Sequence, residues 1–106
     1  MIEVYDKWNH RIGCGNAALK ETFIDLTEPV MVDFVFKIVL KAAVLSGSDP
    51  NDLDIYIDKI KYRVIWDNIE YKVCLKQDED RSVKYYGMGL WWDRRIWETI
   101  MYKNKR

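Results

Sequence analysis

His10 and Cys14 are the first residues whose types and spacing suggest chemistry. A reactive thiolate needs a base or a cation nearby, and histidine is the usual supplier. No convincing third partner lies near them in sequence. Adding Cys74 gives at most three soft ligands, with no CxxC pair and no HxxxH pair, so a structural zinc site is poorly supported. The ordinary reading is an exposed histidine beside a small buried cysteine, since free cysteine behaves as a small hydrophobe.

Acidic loops raise calcium as a second option. Asp49, Asn51, Asp52 and Asp54 could offer oxygen ligands, joined by Asp78, Glu79 and Asp80 if the two loops meet. An EF-hand loop starting at Asp49 fails, because Leu53 takes the fifth position, Asp54 the glycine position and Ile60 the final glutamate position. Asp and Asn are standard turn formers, which is the simpler account. Gly13-Cys14-Gly15 and Gly87-Met88-Gly89 are GxG fragments that lack the third glycine of a phosphate cradle. There is no GxSxG, and a single histidine removes most acid–base schemes that rely on one. Two carboxylates could converge for hydrolysis, but no spacing selects a pair. The expectation is a protein that is not an enzyme and that holds no metal or cofactor.

Aromatic and cationic residues carry the remaining leads. Trp91 and Trp92 are adjacent, so on a strand they point to opposite faces, and one of them stands out unless both faces are covered. Beside Arg94 and Arg95, an exposed Trp has the composition of an interface hot spot. Such a Trp would equally suit stacking on a sugar ring or a base. Core packing plus a subunit contact also accounts for the group Tyr85, Tyr86, Trp91, Trp92 and Trp97, since aromatics dominate small cores.

The stretch that must position the cations is Asp58 to Lys76. Ile60, Tyr62, Val64 and Trp66 alternate with Lys59, Lys61, Arg63 and Ile65. After Asp67-Asn68, Ile69, Tyr71, Val73 and Leu75 alternate with Glu70, Lys72, Cys74 and Lys76. Period-two alternation interrupted by two residues that tolerate positive φ predicts a β-hairpin over 58–76. With Asp67-Asn68 as the loop, Trp66 pairs with Ile69, Val64 with Tyr71, Tyr62 with Val73 and Ile60 with Leu75. The other face then sets Arg63 opposite Lys72 and Lys59 opposite Lys76, with Lys61 between them. Like charges directly opposite each other destabilise a sheet, so Lys59, Lys61, Arg63, Lys72 and Lys76 mark a candidate binding surface. The alternative is a solvated face whose lysine stems cover apolar surface.

Around this hairpin, Ile2 to Trp8 reads as a strand with Ile2, Val4 and Asp6 on one face and Tyr5 on the other. Arg11 to Asn16 reads as a turn, on the strength of Gly13 and Gly15. Glu21 to Leu26 is a strand candidate, with a helical turn at Ala17 to Glu21 as the alternative. Val30 to Leu45 can be a strand with Val30, Val32, Phe34, Phe36, Ile38 and Leu40 on one face. It can also be a helix with Asp33, Lys37 and Lys41 as a polar stripe, Thr27 as N-cap, Pro29 in the first turn and Gly47 as C-cap. Its Val, Ile and Phe content favours the strand. Ser46 to Asp54 and Gln77 to Ser82 read as loops, and Val83 to Tyr86 as a strand. Leu90 to Tyr102 either turns at Asp93-Arg94 and returns as a strand, or forms a terminal helix capped by Asp93 with Ile96, Trp97 and Ile100 inward. The fold class expected is mainly β: an antiparallel sheet or small β-sandwich around the hairpin, with one helix as an optional addition.

Composition bounds the rest. The 106 residues suit one domain over 1–106 with its own core. Lys+Arg and Asp+Glu number 17 each, which argues against a general nucleic-acid coater. No signal peptide is seen, and Val30 to Leu45 is broken by Asp33, Lys37 and Lys41, so no membrane span is expected. Two distant cysteines without a secretory signal suit a reducing, cytoplasmic setting. Together these features lead to the expectation of a small protein-binding module that docks on a partner with an acidic surface. Immunity proteins, antitoxins and phage-encoded inhibitors share this general profile. A homodimer stays open. Single-stranded nucleic-acid binding and a carbohydrate-binding β domain are the alternatives.

Overall fold

The computed structural model describes residues 1–15, 24–66, 71–77, 85–86 and 93–104. Six strands, β1 (Ile2–Tyr5), β2 (Arg11–Gly15), β3 (Asp54–Ile57), β4 (Ile60–Trp66), β5 (Val73–Gln77) and β6 (Tyr85–Tyr86), form one sheet in the order β2-β1-β3-β4-β5-β6. Every neighbouring pair is antiparallel. Two helices, α1 (Pro29–Ser46) and α2 (Arg94–Asn104), complete the described elements. The expected antiparallel sheet is present as a single open sheet, and the described residues hold no second sheet that would make a sandwich.

Val30 to Leu45 is helix, which corrects the strand reading. Asp33 and Lys37 form an i,i+4 ion pair at 2.9 Å on the outer side. Val32, Val35, Phe36, Val39, Leu40, Ala42 and Ala43 are buried at helical spacing. The β-branched content therefore reflects a large buried surface and not an extended backbone, since β-propensity largely measures packing. Glu28, not Thr27, is the N-cap, and it makes no side-chain cap bond; Pro29 supplies the pre-set φ of the first turn. At the other end Gly47 adopts φ 67, its N–H reaches Val44 O, and Ser48 N–H reaches Ala43 O at 3.0 Å. This is a Schellman ending, as the glycine predicts.

Arg11 to Gly15 is strand β2, not a turn. Its glycines are there for close approach. A Cβ on Gly13 would lie 2.9 Å from Ala42 Cβ, and one on Gly15 would run into Ile38 Cδ1. A side chain at Gly13 would press on the helix itself, while one at Gly15 would displace the Ile38 side chain.

The inner sheet face carries Ile2 and Val4 from β1, Ile55 and Ile57 from β3, Tyr62 and Val64 from β4, and Val73 and Leu75 from β5, all buried. They pack in one cluster with the α1 residues and with Trp97 of α2. Trp97 is fully buried and meets Phe36 edge-to-face, with ring centroids 5.5 Å apart. Aromatic rings favour this geometry because a positive edge meets a negative face. Of the residues expected to face inward on α2, Trp97 does so and Ile100 packs at the margin. Ile96 does not: it is 45% exposed.

β4 has the expected face, but the β4–β5 ladder is slid along. Trp66 pairs with Val73, Val64 with Leu75, Arg63 with Lys76 and Tyr62 with Gln77. Val64 thus meets Leu75 where Tyr71 was expected. An even-numbered slip keeps the apolar set inward while changing every partner. A two-residue turn sits one hairpin earlier, at Asp58-Lys59, where φ is 49 and 69 and Ile57 pairs with Ile60. Two successive positive φ values are what a two-residue hairpin loop requires. The expected Asp67-Asn68 turn falls outside the described residues. So do half of Glu21 to Leu26, of which Ile24 and Leu26 are buried outside any strand, and the loop Gln77 to Ser82 beyond Gln77. Among the described residues, no helix is long and apolar enough to cross a membrane.

Candidate functional site

The face of the sheet away from the helices collects the opposite set of each strand. β4 contributes Lys61 and Arg63, and β5 contributes Lys76 directly opposite Arg63. β3 contributes Asp54 and Tyr56, the latter paired with Lys61. β1 contributes Glu3, paired with Tyr56, and Tyr5, paired with Asp54; β2 sets Arg11 opposite Tyr5 and Cys14 opposite Glu3. Arg63 and Arg11 are exposed, and Lys61, Lys76, Tyr5 and Tyr56 are half-buried. Toward β5 this face is partly covered, since Cys74 is buried.

Its charges are arranged in columns. Asp54 reaches Lys61 Nζ at 3.7 Å and Arg63 Nη2 at 4.0 Å, so one carboxylate serves two cations. Lys76 adds a third cation across the ladder. Tyr5 donates its hydroxyl to Glu3 Oε2 at 2.6 Å and meets Tyr56 edge-to-face at 5.5 Å. The hydrogen bond to Glu3 holds the Tyr5 pKa above the usual tyrosine value, with desolvation and the carboxylate charge acting the same way. Among the described residues, four cations (Arg11, Lys61, Arg63, Lys76) thus share this face with two carboxylates (Glu3, Asp54). A chain with no formal net charge has gathered a basic surface here.

The other expected binding residues are elsewhere. Lys59 is exposed in the β3–β4 turn and is not opposite Lys76. Lys72 bridges to Asp93 beyond the other end of β4 and is not opposite Arg63. A seven-residue strand spans roughly 20 Å, so Lys59 and Lys72 cannot share one contact.

Lys72 belongs with a second group at the start of α2. Asp93 caps that helix by accepting from Arg95 N–H at 2.7 Å, and it also binds the Arg95 guanidinium at 3.1–3.2 Å. These side-chain and backbone hydrogen bonds from Arg95 hold the Asp93 carboxyl below its ordinary pKa. Arg94 stacks over Trp66 at 4.8 Å and bonds Glu98 at 3.0 Å; Arg95 lies over Tyr71 at 4.9 Å. Both arginines therefore meet aromatic rings, but those of Trp66 and Tyr71. Trp91 and Trp92 lie outside the described residues.

Tyr5, Tyr56, Asp54, Glu3 and Arg11 are the members that sequence reasoning missed. The signal was present in Ile55 and Ile57 flanking Tyr56, a short period-two run ending at the Asp58-Lys59 turn.

The soft-ligand and calcium ideas meet separate geometry. Cys14 is exposed on β2 and Cys74 buried on β5, with β1, β3 and β4 between them. Successive strands are about 4.8 Å apart, which keeps the two sulfurs from a common site. His10 Nδ1 lies 3.3 Å from Asp6. Asp49 is the cap of a 3-10 turn over Pro50–Asp52, accepting from Asn51 N–H at 3.0 Å. Among the described residues, no three His, Cys, Asp or Glu side chains converge to hold a metal.

Compared with known protein families, curated proteins and solved structures, the chain matches none of them.

Proposed function

We propose that this chain is a non-enzymatic binding module that docks on another protein through the outer face of its sheet, with Lys61, Arg63 and Lys76 meeting an acidic surface. The observation that carries the reading is the directly opposed pair Arg63 and Lys76. Two cations directly opposed on neighbouring strands present adjacent positive charge on one face, which an anionic partner surface would complement. Arg11 extends the basic character to the other edge, and Tyr5 and Tyr56 offer aromatic contact area between the two, which interface cores favour. Cations so placed would steer an acidic partner and raise its association rate. An intracellular inhibitor, such as an immunity protein, an antitoxin or a phage-encoded inhibitor, is the biological role this profile suits.

Single-stranded nucleic acid is the second reading, because Tyr5 and Tyr56 could stack bases beside the cations. The chain carries 17 basic and 17 acidic residues and no formal net charge, unlike a typical nucleic-acid binder, so the protein partner ranks first. Salt titration separates the two. Nucleic-acid binding must weaken steeply with salt through counterion release, and it must disappear after nuclease treatment of the captured material. The docking reading expects a nuclease-resistant complex that Lys61→Glu/Arg63→Glu abolishes in a folded protein. A complex that survives that double reversal would overturn it.

A further inference from the structure

A cleft of ≈ 340 Å³ opens between the β1–β2 loop, the end of α1 and the 3-10 turn, lined by Lys7, Trp8, Ser46, Gly47, Ser48, Asp49 and Asp52. It shares no residue with the basic sheet face. Three observations set it apart from an incidental dent. First, Trp8 is 66% exposed, although burying its ring would be worth far more to the fold than leaving it in water.

Second, the loop that presents Trp8 is tightly built. Asp6 is buried, and its Oδ1 accepts from Trp8 N–H at 2.9 Å and His10 N–H at 2.8 Å. Asp6 N–H donates to His10 O and Asn9 N–H to Asp6 O, both at 3.0 Å, with Asn9 at φ 63. An aspartate that folds a turn around its own side chain fixes the residues it encloses. The backbone that carries the exposed indole is therefore fixed.

Third, the opposite wall is fixed and open. A Cβ on Gly47 would find no atom within 4 Å. Ser46 Oγ donates to Ala42 O at 2.7 Å and meets Ser48 Oγ at 2.9 Å, which pins both hydroxyls to the end of α1. Asp49 is set by its cap bond to Asn51 N–H.

The lining decides the ligand class. Lys7 donates, and Asp49 and Asp52 accept. Lys7 Nζ stands over one face of the Trp8 ring, 4.7 Å from its centre, so a stacking ligand would use the other face. A small cation would use only the acceptors and would be repelled by Lys7. An anion would use only the donors and would be repelled by the carboxylates. A neutral polyhydroxyl ring uses donors and acceptors together and lays its C–H face on an indole. We infer that this cleft binds a neutral pyranose sugar unit, with Trp8 as the stacking platform and Lys7, Ser48, Asp49 and Asp52 as the hydroxyl-reading groups.

Titration of the full chain with cellopentaose, maltopentaose and chitopentaose, followed by ¹H–¹⁵N NMR, tests this directly. At least one sugar should produce saturable shifts at the Trp8 indole N–H and at the amides of Gly47, Ser48 and Asp52. Trp8→Ala should weaken that binding by about tenfold or more, Trp8→Phe should keep part of it, and Asp52→Asn should reduce it. Trp8 is exposed, so these variants leave the core intact, which their own spectra will verify. No shift with any of the three sugars, or equal binding by Trp8→Ala, would overturn the proposal. So would spermidine shifting the same signals while the sugars do not, since the cleft would then be a cation site.

Discussion

Arg63 and Lys76 occupy directly opposed positions on the β4–β5 ladder, on the sheet face away from α1 and α2. Each is the outward member of an alternation whose inward neighbours, Val64 and Leu75, are buried against α1 and α2. The fold thus has no freedom to turn either cation away without exposing the core. Asp54 engages Arg63 and Lys61 at 4.0 and 3.7 Å from the neighbouring strand, which offsets part of the repulsion.

Lys76→Glu should convert this like-charge pair into an opposite-charge pair. Cross-strand pairs are worth ~0.2–1 kcal/mol, so urea unfolding should show a gain of that order, while partner binding falls. A function-bearing residue that costs stability is the pattern expected of a binding surface. Loss of stability in Lys76→Glu would show that Lys76 is a structural partner on this face.

Gly13→Ala should destabilise the protein by about 1–3 kcal/mol, the usual cost of overpacking, because its methyl would lie 2.9 Å from Ala42 Cβ. Ala42 is on the helix backbone and cannot swing aside as a longer side chain would. The double variant Gly13→Ala/Ala42→Gly should therefore recover part of the loss. Chemical denaturation of the four members of that cycle gives the coupling, and strict additivity would contradict the close approach.

Trp97→Ala should cost ~3–5 kcal/mol, as for other fully buried large aromatics. Its ring meets Phe36, so the loss should appear as undocking of α2 from α1. Hydrogen exchange resolved by residue checks this: α2 amides should lose protection before the β3–β4 hairpin does.

Acid should loosen the β1–β2 loop through Asp6. The backbone hydrogen bond from His10, joined by that from Trp8 and by the His10 side chain, outweighs desolvation and holds the Asp6 pKa below its ordinary value. A depressed carboxylate pKa means the folded state binds the proton less readily than the unfolded chain. Its stabilisation is therefore complete above the unfolded value, about 3.9, and is lost as pH falls through the lower folded value. Acid unfolding followed by circular dichroism should be shallower in Asp6→Asn, and the Trp8 and His10 amide signals should move first in the wild type.

Much of the sheet was legible from residue order alone. β4 has the predicted alternation, Ile2 and Val4 share a buried face as expected, although β1 ends at Tyr5 and Asp6 is buried in the turn beyond it, and Gly47 ends a helix where a glycine should. Alternation fixes a face, but it does not fix partners. The slip of β5 leaves every inward residue inward, so hydrophobic pattern alone cannot detect it. Turn chemistry hid a second site, because Asp58 and Lys59 take the two successive positive φ values of a two-residue hairpin loop. Lysine is an unusual occupant of that conformation, which hides the turn from a residue-type reading.

Helix α1 and strand β2 were obscured together. Val30 to Leu40 is rich in β-branched residues because it is buried along the sheet, and Gly13 and Gly15 are small because that helix lies on them. Each looks anomalous alone, as a strand-like helix and a turn-like strand. Only the contact between them explains both. The candidate site suffered for the same reason: without β3, nothing placed Tyr56 and Asp54 beside Lys61 and Arg63.

The most direct test of the docking account is affinity capture from a host lysate, with and without nuclease, comparing the wild-type chain with a folded Lys61→Glu/Arg63→Glu variant. The captured species is then purified and its association rate measured against ionic strength. The account predicts one stoichiometric, acidic, nuclease-resistant protein that the variant loses, with an association rate that falls as salt rises. A partner retained by the variant at the wild-type rate, or nucleic acid recovered in its place, would contradict it.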